Sequence, residues 1–440
     1  MKNIFSVFFS YVHFWLLFIF KNEPNTKIQH IAFSTFRSTY RVPESDRSSV
    51  WIVLRYFLRA ILTVLTPKNN KCFVRSNDEH TYIYDLFRND YSFRKKYIEF
   101  FKGEGVISGG IFKSDSYYCD SFLQGFILIV LLTLWTPFLF FYSFFQKDKA
   151  PYAIIYREIF EIINLLNLCH HLNVKVLYYF CIYEKDSNLI AYLLQKERII
   201  VNKITSDSPL SYWNKVIVAD NIYLCSGYQL DEISHFESTL YSTNIELWAP
   251  EKFLKNKYKY DNPVEISEKT IGFYSTGGWV RKLENHKLKT IDVESMENKV
   301  MNIIKKICIL NPEYQLIIFL HPREKWEKYI KLANDRYTDI FKGVNFKIIK
   351  EDSVMSFEKA SLGIAFSSTI VFERLYYGFK TILMPIGLEN NFPVKDSNIK
   401  NICAYTEDEL FSKIQENIKY SNIDFFDKNR IKHYANYLYN

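Results

Sequence analysis

At 440 residues the chain has room for two or three domains with complete cores. Its make-up, 48% hydrophobic and 24% charged with a high aromatic share of 18%, is that of a globular protein, and Gly at 13 and Pro at 12 exclude long flexible linkers and low-complexity tracts. The formal charge of +8 admits an acidic substrate or an anionic membrane surface, but with no Lys/Arg-rich run and no RNA-binding signature no nucleic acid partner is expected. The cysteines (Cys72, Cys119, Cys169, Cys181, Cys225, Cys308 and Cys403) are odd in number and lack CxxC spacing. That argues against a disulfide framework or a zinc site and for a reducing compartment. Cys169-His170-His171 has no third and fourth ligand at metal-site spacing, so no metal is expected there.

Ile4–Phe20 (IFSVFFSYVHFWLLFIF) has no formal charge and ends at Lys21. It is at the short limit for a spanning helix, and no small-residue cleavage site follows it. The expectation is an uncleaved membrane anchor or an interfacial helix, with a buried core helix as the alternative. IQHIAFS is expected as a strand. WIVLRYFLRAILTVL is expected as a helix with Arg55 and Arg59 four apart on one face, which fits either a membrane-surface helix with snorkelling Arg heads or a helix on a sheet with one wet edge. A helix near Tyr82–Phe101 and a Gly-rich turn at Gly103-Glu104-Gly105 and Gly109-Gly110 follow. Ser121–Gln146 is uncharged, and its core Phe126–Phe145 meets the length for crossing a bilayer. Pro137 inside it leaves a span or two short helices dipping into one leaflet, with a fully buried globular segment as the alternative. Lys147 and Lys149 place the C-terminal part in the cytoplasm by the positive-inside rule.

From Pro151 helical and strand patterns alternate, which argues a parallel, doubly wound α/β sheet. A helix (Tyr152–Leu172), the strand VKVLYYF, the helix LIAYLLQKE, RIIVN, one strand over KVIVADNIYLCS, a helix near Asp231–Ser238 and NIELWA make a first series. The lysine-rich connector Pro250–Lys269 ends it. TIGFYSTGGWVRK, a helix (Val293–Leu310), YQLIIFL, a helix (Lys325–Ala333), VNFKIIK, a short helix (Ser353–Ala360), LGIAF, the helix STIVFERLYYG and KTILMP make a second. The chain thus divides into a membrane-associating N-terminal region (1–146), an N-terminal α/β domain (147–249, with parts of 27–120 as candidate members), a C-terminal α/β domain (270–405) and C-terminal helices (406–440).

Chemistry is expected where parallel strands end. Ser367-Ser368-Thr369 follow LGIAF and open a helix, so their hydroxyls and the free N–H groups of the first turn make a phosphate cradle; a plain N-cap is the alternative. Glu373, one turn on, can accept from two ribose hydroxyls, or else pair with Arg374 or Lys380. His321-Pro322 ends YQLIIFL, where the proline fixes the exit and the imidazole can donate to a phosphate oxygen, with Arg323 adding donors. Ser275-Thr276-Gly277-Gly278 follows IGFY and can hold a phosphate or sugar, with Arg281 nearby, or form a plain turn. In the N-terminal series Glu184 and Asp186 follow VKVLYYF and are candidates for a general base on an acceptor hydroxyl.

A His-Pro at one strand end and a Ser-Ser-Thr at a later one, followed by a Glu on the helix, resembles the HP and SS motifs of bacterial sialyltransferases and polysialyltransferases. Related patterns occur in capsule Kdo transferases and in CDP-glycerol-type polymerases. The resemblance covers residues 270 to 390. It implies a GT-B-like fold, two Rossmann-like doubly wound domains facing a cleft, here with apolar N-terminal membrane-associating helices. It also implies that His321, Ser367 and Ser368 contact the nucleotide phosphate and Glu373 the ribose. The acidic D/E-D/E-G triplet that carries the base in sialyltransferases does not occur in this sequence; Glu184-Lys185-Asp186 is a loose substitute. The expected function is a glycosyltransferase at the cytoplasmic face of a bacterial inner membrane. It would move a sugar from a nucleotide-sugar donor, CMP-linked on the resemblance, to a surface polysaccharide or lipid-linked glycan, with membrane lipid as a further partner. No DxD motif is present, so neither metal nor cofactor is expected. The alternatives are a CDP-polyol phosphotransferase of similar fold and a non-catalytic membrane assembly protein for surface polysaccharide.

Overall fold

The computed structural model describes residues 2–20, 27–36, 49, 51–65, 81–85, 105–108, 122–145, 173–180, 187–205, 216–224, 227–235, 239–247, 266, 269–284, 293–366, 368, 370–385 and 398–435, and single positions between 152 and 169. The chain forms two compact units. The first comprises Met1–Ser206, Trp213–Tyr223 and Glu237–Glu246; the second comprises Asp207–Tyr212, Leu224–Phe236 and Leu247–Asn440.

The first unit opens with three helices, α1 (Lys2–Phe20), α2 (Lys27–Phe36) and α3 (Trp51–Leu65). Phe8, Tyr11, Phe14 and Trp15 bury one face of α1 in the core of this unit, and the Phe14 ring meets Tyr192 at 5.5 Å between centroids. The strand expected over IQHIAFS is instead α2. Ile28, Ile31 and Ala32 recur at helical spacing, and Ile31 and Ala32 are fully buried, so the apolar period is that of a helix. Conversely Tyr82, expected in a helix, lies in β1 (Thr81–Asp85), where aromatic and β-branched residues favour a strand. Gly105, expected in a turn, starts β2 (Gly105–Ser108), while residues 86–100 and the glycines at 103, 109 and 110 lie outside the described residues. The helix α4 (Phe122–Phe144) runs unbroken through Pro137. On the turn before the proline, Thr133 and Thr136 donate their hydroxyls to the Ile129 and Leu132 carbonyls at 2.8 and 2.7 Å.

The sheet of this unit is built from β1, β2, β3 (Val176–Phe180), β4 (Ile200–Ile204), β6 (Asn221–Leu224) and β8 (Asn244–Leu247), in the order β2-β1-β3-β4-β6-β8. The pairs from β2 to β6 are parallel. The helix α5 (Ser187–Lys196) connects β3 to β4. The single strand expected over KVIVADNIYLCS is two. β5 (Val216–Val218) leaves the sheet to pair with β7 (Thr239–Tyr241), a strand that was not expected, while β6 stays in it. Asp220 marks the break: its carboxylate accepts the Val201 N–H at 2.7 Å, and its own N–H donates to the Val201 carbonyl at 2.8 Å.

The second unit holds a short helix, α6 (Gly227–His235), and then an alternating series. The series runs β9 (Thr270–Tyr274), α7 (Gly278–Leu283), α8 (Val293–Leu310), β10 (Gln315–Phe319), α9 (Glu327–Ile340), β11 (Phe346–Ile349), a 3₁₀ turn over Val354–Lys359, β12 (Leu362–Ala365), α10 (Ile370–Tyr376) and β13 (Thr381–Leu383). The 3₁₀ turn Asn398–Ile402 and the helices α11 (Glu407–Asn417) and α12 (Asn422–Lys428) follow. The five strands are ordered β11-β10-β9-β12-β13 and every pair is parallel. Every position of β9 and β12 is buried, which is why both read as near-continuous apolar runs. Ile271, Phe273, Leu316, Ile318, Leu362 and Ile364 face one core, with α8; Tyr274, Ile317, Phe319 and Ala365 face the other, with α10. The sheet is therefore doubly wound. Counted within the unit its order is 3-2-1-4-5, and the direction of winding reverses between β9 and β12.

Arg374 ties the second face together. It is fully buried, and its guanidinium donates to Thr381 Oγ1 (3.1 Å), the Tyr274 hydroxyl (2.7 Å) and the carbonyls of Phe357 (3.0 Å), Ala360 (3.1 Å) and Lys380 (3.2 Å). Gly363 on β12 makes room for it: a Cβ there would lie 2.5 Å from Arg374 Nε.

Candidate functional site

Three neighbouring strands, β10, β9 and β12, end on the same edge of the second sheet. Their exits carry His321-Pro322, Ser275-Thr276-Gly277 and Phe366-Ser367-Ser368-Thr369. All three signatures singled out in the sequence thus meet at one edge, at the reversal of winding where open α/β sheets bind ligands.

The β9 and β10 loops touch. Gly277 has φ +66°, a left-handed conformation that disfavours side chains, and a Cβ on it would lie 2.8 Å from His321 Nδ1. The β9 loop is drawn in by Ser275, whose N–H donates to the Phe319 carbonyl at 3.1 Å and whose Oγ accepts the Gly277 N–H at 3.0 Å.

His321 is held neutral. Burial first, then the charges of Arg281, Arg323 and Lys325, push its pKa down to about 4. Its Nδ1 accepts the Arg323 N–H at 3.2 Å, so the ring proton belongs on Nε2. Arg281 Nη2 lies 3.5 Å from that Nε2. Two donors facing each other do not hydrogen-bond; the geometry suits an acceptor, such as an anionic oxygen, shared by both. Burial and the nearby Arg323 lower the pKa of Arg281, and its Nε meets no partner among the described residues. Arg323, expected to add donors, is engaged by Glu284 at 2.8 Å, and Glu284 also accepts from Lys328 and Tyr329.

Two carboxylates that sequence reasoning passed over hold these loops in place. Glu297 on α8 accepts the Thr276 N–H at 2.6 Å and the Thr276 hydroxyl at 3.0 Å through Oε1. Glu324 accepts the His321 N–H at 2.7 Å through Oε2, and the Tyr337 hydroxyl at 2.9 Å and the Trp279 indole N–H through Oε1. Both are fully buried. A signal for Glu297 was present: it stands three, four and seven residues before Val300, Met301 and Ile304, on the apolar stripe of its helix.

At the β12 exit Ser368 is half-buried, and its Oγ accepts the Ile370 N–H at 3.4 Å, so it caps α10. Ser367 and Thr369 lie outside the described residues, as do Glu184 and Asp186. Glu373 is buried in the first turn of α10, at 3% exposure. It does not pair with Arg374, whose donors go to Thr381, Tyr274 and three carbonyls. Lys380 donates to the Ile418 and Tyr420 carbonyls.

No protein-family model and no curated protein matches the chain. Among solved structures it is similar to Acinetobacter baumannii MurG, at 11% identity over 82% of this chain and 94% of that one, with a TM-score of 0.40. It is also similar to Methanocaldococcus jannaschii UDP-GlcNAc 2-epimerase in complex with UDP-GlcNAc and UDP, at 11% identity over 78% and 93% of the two chains, with a TM-score of 0.39. A third is Anabaena Alr3699/HepE in complex with UDP-glucose, at 10% identity over 81% and 92%, with a TM-score of 0.36. Likeness at these TM-scores transfers nothing to this chain; the parallel, doubly wound sheet and its strand-end site stand on the chain's own residues.

Proposed function

We propose that the chain is a glycosyltransferase that takes a sugar from a nucleotide-sugar donor, with the donor phosphate bound at the ends of β10, β9 and β12. The observation that carries this reading is the pair Arg281 Nη2 and His321 Nε2, two donors 3.5 Å apart at the edge where a parallel sheet binds ligands. In the reaction the bond between the anomeric carbon and the donor phosphate breaks, an acceptor hydroxyl oxygen bonds that carbon, and the nucleotide leaves with the electron pair. A neutral imidazole donating from Nε2 and a guanidinium whose Nε meets no partner among the described residues stabilise the charge that develops on the leaving phosphate. Ser367, Ser368 and Thr369 complete the cradle and Glu373 takes the ribose. The acceptor's proton goes to Glu184 or Asp186.

The finer reading is a CMP-linked donor and a surface polysaccharide or lipid-linked acceptor at the cytoplasmic face of a bacterial inner membrane. The donor rests on the HP and SS resemblance. The membrane rests on α3, which leaves Trp51, Leu58 and Leu62 exposed beside Arg55 and Arg59, and on Phe126–Phe144, a helix long and apolar enough to cross a bilayer with 28% of it buried. Incubating the protein with CMP-, UDP-, GDP- and CDP-linked donors and membrane glycolipid, and measuring released nucleotide and transferred sugar, tests the reading. Nucleotide release matched by sugar transfer is expected. CMP release with a polyol phosphate transferred instead would favour the phosphotransferase. Neither binding nor release with any donor would leave the assembly-protein reading standing.

A further inference from the structure

Glu297 and Glu324 are both fully buried, yet they spend their oxygens differently. Glu297 accepts both Thr276 donors on Oε1, and its Oε2 meets no donor among the described residues. Glu324 has donors on both oxygens: His321 N–H on Oε2, Tyr337 hydroxyl and Trp279 indole on Oε1. A protonated carboxyl must give up one oxygen to carry hydrogen. Only Glu297 has an oxygen to spare.

We propose that Glu297 and Glu324 are a pair of positioning residues that keep one proton between them, on Glu297, and fix the two anion-binding loops, Glu297 through Thr276 and Glu324 through His321. The groups that face Glu297 are Glu324 from the β10 loop, Arg336 and Tyr337 from α9, and Arg281 from α7. Burial first, and the charge of Glu324 against the pull of Thr276 and Arg336, hold Glu297 at about 7. Below that pH one negative charge lies behind the loops. Above it there are two, and the second opposes a bound phosphate. This consequence for the donor rests on the proposed function; the placement of the proton does not.

The test is carboxyl ¹³C NMR on the full chain labelled at glutamate, with Glu297→Gln and Glu324→Gln. The resonance lost in Glu297→Gln is expected to titrate near pH 7, and the one lost in Glu324→Gln to stay ionised across that transition. The ring nitrogen signals of His321 are expected to hold in Glu297→Gln, since the amide can still accept from Thr276. They shift in Glu324→Gln, since an amide cannot accept on both sides. Wild-type affinity for CMP is expected to fall roughly threefold between about pH 6 and about pH 8, and the fall to vanish in Glu297→Gln. A neutral-range titration on Glu324, two ionised carboxylates at about pH 6, or equal disturbance of His321 by both variants would overturn the proposal. If no nucleotide binds at any pH, the donor reading fails while the NMR still decides the pair. Glu297→Gln alone assigns the titrating resonance, so the test survives a Glu324→Gln that does not fold.

Discussion

At the scale of single residues, His321 and Glu297 make opposite and separable demands on pH. His321 is depressed to about 4 in the fold, below the ~6.5 of a free imidazole, so the fold favours its neutral form. Its contribution is present above about 6.5 and is lost as pH falls toward 4. Glu297 is raised to about 7, above the ~4.3 of a free carboxyl. Its contribution is full below about 4.3 and is lost as pH rises through 7. Urea melts across this range should show each term at up to about 1.4 kcal/mol per pH unit. Relative to wild type, Glu297→Gln should gain stability as pH rises and His321→Ala should lose it. Curves that stay parallel for both variants would deny the assigned shifts. His321 was legible in the sequence because a His-Pro after an apolar run announces a strand end. Glu324 was not, since in HPREKW it reads as one more solvated charge, and only the fold shows that Trp279 and Tyr337 close over it.

At the scale of elements, the second sheet was legible because near-continuous apolar strands alternate with helical stretches, and α8 keeps a 3.6-residue apolar period. Failures fell where pairing partners decide. IQHIAFS is too short for its helical spacing to stand out, and packing of Ile31 and Ala32 in the first core shows the helix. KVIVADNIYLCS looks continuous until Asp220 bonds Val201 and the two halves join different sheets. The most demanding element contact is Arg374 against β12. Gly363→Ala drives a methyl to 2.5 Å from Arg374 Nε, and thermal melts should show a loss of about 1–3 kcal/mol, as for overpacked cores. Arg374→Ala takes the guanidinium donors from the Tyr274 hydroxyl and from the Phe357, Ala360 and Lys380 carbonyls, of which Phe357 and Lys380 keep a backbone N–H, and should cost roughly 3–5 kcal/mol or abolish folding. A melting temperature unchanged by Gly363→Ala would show that β12 and α10 can separate freely.

At the scale of the whole molecule, the apolar helices belong to the first unit and the proposed anion site to the second. The composition shift near Pro151, from uncharged apolar runs to alternating helix and strand, falls inside the first unit and does not mark the division between the units. For the membrane reading, the exposed face of α3 is the sharpest handle, since Trp51 and Leu58 are 67% and 51% exposed on a helix that also carries Arg55 and Arg59. The protein should float with anionic vesicles. A Trp51→Glu, Leu58→Glu variant should lose affinity roughly tenfold or more, since each burial given up is worth about 1.5–3 kcal/mol. Equal flotation of variant and wild type would remove α3 from the membrane contact.

Everything about function turns on the paired donors at the strand ends, and calorimetry of CMP, UDP, GDP and CDP against the full chain, with Arg281→Ala and His321→Ala alongside, interrogates them most directly. The expected result is saturable binding of at least one nucleotide, weakened in each variant by roughly tenfold to a hundredfold, the loss of about 1.5–3 kcal/mol that a charge-assisted hydrogen bond carries. The contradicting result is binding that neither substitution alters, or no binding of any nucleotide to a folded wild-type chain.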